Sequence, residues 1–197
     1  MSEKKLPVEL DELLAAEFDY IAQTAIQAND DRARVSSFYM IAVGSLIAAL
    51  LSTQLFDPDK FTQTIKLGFS GTFIILTLLG TSTIMQLGRL RSAWHESMLA
   101  MNQLKDFAMK QSPELTQAFR WKTSTLPKKY KKSSVSYYQA VEVSLISGFM
   151  FGAAVLFSLI AFFDIQITHW IISILAGIGM LFLQLRVYKR IVEQHAS

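Results

Sequence analysis

The chain has 197 residues, 51% of them hydrophobic and only 18% charged, with a formal net charge of +3 and no cysteine. Soluble domains carry about a quarter charged residues, and here the charges are expelled from four long stretches and packed between them. Disulfides, thiolate metal sites and cysteine nucleophiles are excluded.

The N-terminal segment, residues 1–34, lacks the apolar core of a secretory signal, so the first span is expected to act as its own insertion signal. Leu10, Leu14, Phe18, Ile21, Ala25 and Ala28 recur at helical spacing and predict an amphipathic helix. Glu9, Asp11, Glu12, Glu17 and Asp19 crowd its early turns, where the helix dipole favours negative charge. An acidic helix is repelled by an anionic lipid surface, so it is expected to pack on protein. Asn29 to Arg32 either continues this helix into the next segment or restarts it at a cap on Asn29 or Asp30.

Residues 35–88 hold the first two charge-free runs, Val35–Phe56 and Leu67–Gly88. A helix rises about 1.5 Å per residue, so a run of just over 20 residues crosses about 30 Å of hydrocarbon. Phe56-Asp57-Pro58-Asp59-Lys60 separates the two, because proline and aspartate interrupt a helix. The first run carries Gly44 and Ala48 one turn apart, a surface on which a second helix could approach closely. The second carries hydroxyls at Ser70, Thr72, Thr77, Thr81, Ser82 and Thr83. Ser70, Thr72, Thr77 and Thr81 are candidates for lining a wet path. The competing reading is that they bond back to their own helix or pack.

Residues 89–140 read as a helical and basic loop. Leu90, Trp94, Met98, Met101, Lys105 and Ala108 form one stripe, and only Gly88 interrupts the run before it. One long rod continuing the second span is therefore expected. Ser112 is read as the N-cap, and Pro113 as the first residue, of a short helix. Thr123 to Ser134 is read as an exposed basic loop. Its cluster Lys128, Lys129, Lys131 and Lys132 is a candidate contact for anionic lipid, worth about 1 kcal/mol per charge. The competing reading is a topology signal. The acidic arm and this basic loop are complementary in charge. Arg89, Arg91 and His95 resemble the Arg–His pair of some helical ribonucleases, a spacing that basic helices often reach by chance.

Residues 141–187 hold the last two charge-free runs, Val143–Phe163 and Ile165–Leu185, with Asp164 in a tight turn between them. Gly148 and Gly152 form a GxxxG pair, and Ser173 and Gly177 form a weaker small-residue surface on the fourth run. Residues 188–197 are a tail.

The fold class expected is an all-α integral membrane protein: four transmembrane helices as two hairpins, an N-terminal amphipathic helix and a helical cytoplasmic loop. Lys and Arg fix its orientation. Ten of them lie between Arg89 and Ala140, against Lys60 and Lys66 for the hairpin tips. Both ends and the loop are therefore expected on the cytoplasmic side of the cytoplasmic (inner) membrane.

None of the runs contains the carboxylate, Lys or Arg expected of proton relays and voltage sensors. No catalytic, metal-binding or cofactor motif occurs, so the chain is read as a non-enzyme without cofactor. Paired membrane helices joined to cytoplasmic helices are similar in outline to small bacterial pore-forming effectors, an analogy of architecture that no motif carries. The leading expectation is a homo-oligomer in the lipid bilayer that forms or gates a pore. The alternative is a scaffold or regulatory subunit that binds a cytoplasmic protein partner or anionic lipid. A nucleic-acid partner is not expected.

Overall fold

The computed structural model describes residues 10–52 and 62–194. The tip motif Phe56 to Lys60, together with Glu9, lies outside the described residues. Within them there are helices and no strand. Four helices are long and apolar enough to cross a membrane: α1 (Leu10–Ser52), α2 (Gln63–Gln111), α4 (Val135–Phe162) and α5 (Ile167–Gln194). Between α2 and α4 lie a short α3 (Leu115–Ala118) and a 3₁₀ turn at Thr123–Thr125.

The 43-residue α1 is unbroken, which settles the alternatives at Asn29 and Asp30 in favour of continuity. Their side chains stay on the helix surface, and Asn29 Oδ1 accepts from Arg32 Nη2 at 2.9 Å. The 49-residue α2 is the expected rod. A lone glycine weakens a helix by about 1 kcal/mol, too little to break it at Gly88 where α5 packs alongside. The rod stops at Ser112, because the residue before a proline is pushed out of the helical region. Ser112 therefore closes α2, its N–H bonding Ala108 O, and the short helix starts at Leu115 rather than Pro113. Ser134 caps α4, its Oγ accepting from Tyr137 N–H.

Contacts fix the directions of the helices. Tyr39 meets Gly80, and Phe18 lies against Lys105, so α1 runs antiparallel to α2. Ser70 bonds Ala154 O and Ser147 bonds Thr77 O, so α4 is also antiparallel to α2. Gln184 reaches Thr81 and Ile191 packs beside Gly88, so α5 runs parallel to it. Helix α2 is thus the central element against which the other three pack. Its inward residues Phe73, Leu76, Ile84 and Leu87 form the core with Tyr39, Val43, Val143, Met150 and Tyr188. Phe69, Phe73 and Phe157 stack near one end, where Lys66 Nζ donates to Ile160 O in the last turn of α4.

Candidate functional site: a buried polar column and its strap

Two glycines let α4 and α5 touch backbone to backbone. A Cβ on Gly148 would lie 2.7 Å from Gly177 O, and one on Gly152 2.8 Å from Ser173 O. Next to this crossing, toward Arg91, the four long helices contribute to one polar node. Gln184, with no exposed surface, donates from Nε2 to Ser147 Oγ at 2.7 Å and Thr81 Oγ1 at 2.9 Å. Ser147 in turn donates to Thr77 O at 3.3 Å. Tyr39 completes the node from α1. Gly80 makes the space, since a Cβ there would sit 2.6 Å from Ser147 Oγ and 2.8 Å from Tyr39 OH. Among the described residues, Gln184 Oε1 and Ser144 Oγ are buried without hydrogen-bond partners. Buried oxygens of this kind are places where water or a ligand group is accommodated.

Beyond the charge-free stretches the column becomes aromatic and cationic. Tyr188, 1% exposed, bonds Ser136 through its hydroxyl at 2.7 Å. Tyr137 packs on Tyr188 and on Tyr130, and Lys189 lies over the Tyr130 ring. Arg91 is 6% exposed and rests on the face of Trp94 at 4.5 Å. Burial holds its guanidinium below the ordinary value, and Arg32 across the α1–α2 contact lowers it further.

From here the chain preceding α4 is strapped along the rod. Asn102 Nδ2 donates to Lys122 O at 3.3 Å, and His95 Nε2 to Pro127 O at 3.0 Å. Arg91 Nε donates to Lys129 O at 3.1 Å, and Lys129 Nζ returns to Glu96 Oε1 at 3.1 Å. Three polar side chains on one helix face thus hold the segment from Lys122 to Lys129, its 3₁₀ turn included, by its carbonyls. The spacing 91, 95, 102 was the available sequence signal, hidden because the apolar stripe beside it dominates the pattern. Burial lowers the His95 pKa, with Arg91 and Lys129 acting in the same direction; the bond to Pro127 and the Glu96 carboxylate oppose this.

The expected site residues fall into distinct places. Gly148, Gly152, Ser173 and Gly177 lie together at the α4–α5 crossing. Gly44 and Ala48 lie on an exposed face of α1, and a methyl on Gly44 would meet nothing within 4 Å. The α2 hydroxyls do not converge on an open path. Thr77 bonds back to Phe73 O and Thr81 to Thr77 O. Ser70 bonds across to Ala154 O and Ser158, and Thr72 is half-buried. In the basic cluster Lys128, Lys131 and Lys132 are exposed, whereas Lys129 is buried against Glu96. The loop is therefore latched rather than free, and Lys129 belongs to the latch. The acidic arm meets the rod through Lys105 over the Phe18 ring.

Among the described residues no His, Asp or Glu cluster could hold a metal ion. No known protein family, curated protein or solved structure matches the chain.

Proposed function

We propose that the chain is a subunit of a homo-oligomer in the cytoplasmic (inner) membrane that forms or gates a pore. In this reading it is inserted as two hairpins, with both ends and the strapped loop on the cytoplasmic side. The bias of Lys and Arg supports that orientation. Because Ser70, Thr77 and Thr81 are bonded within one chain, a conducting path would run between copies and not through a single bundle.

The observation that carries the reading is the outer face of α1. Ser37, Ile41, Gly44, Ser45, Ala48 and Ser52 recur every three or four residues and are exposed. Small residues at this spacing allow a second backbone to approach closely, and hydroxyls beside them tolerate water. Lipid alone does not require such a face. A ring of about five or more copies related by one axis would enclose a path.

The second reading, a scaffold for a cytoplasmic partner, is favoured by a separate observation. Leu13, Tyr20, Ile26 and Trp121 are each more than half exposed, and all lie outside the charge-free stretches, where lipid tails cannot cover them. Copies of the chain could cover them as well as a different protein.

Native mass in nanodiscs or mild detergent tests the proposal. The parent is expected as a closed ring, and Gly44→Leu/Ala48→Leu as smaller species with unchanged helix content. A monomeric or dimeric parent would discard the pore and leave the scaffold.

A further inference from the structure

Just beyond the charge-free stretches lie two cations, Arg32 and Arg91, that make no ion pair among the described residues. The α1–α2 register, set by Tyr39 at Gly80 and by Phe18 at Lys105, brings Arg32 level with the turn from Leu87 to Arg91. Arg91 is buried, and its Nε is satisfied only by the neutral carbonyl of Lys129. Arg32 is half-buried, with one Nη on Asn29 and its Nε enclosed without any hydrogen-bond partner.

Two of the nearby acids are engaged elsewhere: Asp31 pairs with Arg34 and Glu96 with Lys129. Among the described residues no carboxylate, Glu142 included, comes within the 4.0 Å ion-pair distance of Arg32 or Arg91. Tyr188, the phenol beside both, cannot supply the charge. Burial raises its pKa, so it stays neutral, and its hydroxyl is held by Ser136. The two guanidiniums repel each other, and like charges held partly out of water are costly unless an anion joins them.

We propose that Arg32 and Arg91 form a binding site for a phosphate group. Guanidinium forks match phosphate oxygens in pairs, and the Arg32 Nε is a donor still unused. The hydroxyls of Tyr188 and Ser136 border the same level. Helices α1, α2, α4 and α5 all pass it, so a phosphate there would tie the four helices together. On the membrane reading proposed above, this is the depth of the cytoplasmic lipid headgroups, which makes a phospholipid one source. A phosphate ester from solution has the same chemistry and is the other.

The full chain in detergent micelles is unfolded thermally at fixed ionic strength. It is tested with inorganic phosphate against chloride, and with short-chain phosphatidic acid against diacylglycerol of equal chain length. The unfolding midpoint is expected to rise with a phosphate probe and not with its phosphate-free counterpart. A rise with phosphatidic acid alone assigns the site to lipid; a comparable rise with inorganic phosphate assigns it to a soluble ester.

Arg32→Gln is the informative variant, because the hydrogen bond that Arg32 makes among the described residues lies within its own helix. Without ligand it is expected to melt no lower than the parent, since a repulsion is removed. Its phosphate affinity is expected to fall by about tenfold or more, the loss of a charge-assisted hydrogen bond. Arg32→Lys is expected to retain part of it, and Lys131→Gln/Lys132→Gln all of it. The proposal is overturned if no probe stabilises the parent. It is equally overturned if Arg32→Gln responds as the parent does, or if the response disappears only with Lys131 and Lys132. A monomeric native mass with an intact phosphate response would discard the pore and keep the site.

Discussion

Replacing Gly148 by alanine tests whether the α4–α5 crossing depends on bare backbone. The new methyl would sit 2.7 Å from Gly177 O, about 0.7 Å short of ordinary contact at 3.4 Å. The obstructing atom is a backbone carbonyl inside a helix, so no side chain can rotate away. The helices must separate by several tenths of an ångström. A gap of 0.5–1 Å forfeits roughly a quarter to a half of each contact's attraction. Overpacking of this kind costs about 1–3 kcal/mol. Gly152→Ala meets Ser173 O at 2.8 Å and should cost a similar amount. One separation relieves both clashes, so the double variant should lose less than the sum of the singles. Gly179→Ala is the control. A methyl there meets nothing within 4 Å, and helix propensity alone predicts a gain of at most about 1 kcal/mol. Reversible unfolding in mixed micelles, read by helix content, gives the four values. If Gly148→Ala were as stable as Gly179→Ala, the close-packed crossing would be wrong.

Gln184 separates polar bonding from volume. Gln184→Met keeps the volume and removes the unpartnered Oε1, so it should lie within about 1 kcal/mol of the parent, whereas Gln184→Ala opens a cavity and should cost about 2–4 kcal/mol; equal losses by unfolding titration would contradict this. His95 makes the strap sensitive to acid. Its folded pKa lies below the ordinary 6.5, so the unfolded chain takes up the proton first. The neutral form's contribution is complete above 6.5 and is lost as pH falls through that value toward the folded pKa. Stability measured from pH about 7.5 to about 5 should therefore decline more steeply in the parent than in His95→Gln, and parallel slopes would remove His95 from the strap.

Four charge-free runs, their lengths and the all-helical nature of the described residues were legible in residues alone, because hydropathy and the absence of charge are local properties. The continuation of the second run into a rod was legible too, since nothing between Gln86 and Gln111 is strong enough to stop a helix. The glycine pair at Gly148 and Gly152 announced a close contact, but not that Gly177 and Ser173 would supply its other side. That pairing depends on how two helices rotate about their axes, which no local pattern specifies.

The polar node and the strap were decided by tertiary structure. Thr77 and Thr81 carry the same hydroxyl whether they face water, lipid or their own carbonyls, and only the packing of α4 and α5 on α2 selects among these. Lys129 has the same local surroundings as Lys128 and Lys131, yet its carbonyl falls beside Arg91 and its ammonium beside Glu96. Arg32 and Arg91 lie 59 positions apart in the chain, and become neighbours only because α1 and α2 run antiparallel in one register. A sequence shows which groups are charged; the fold determines which of them are brought together and which are left without an opposite charge.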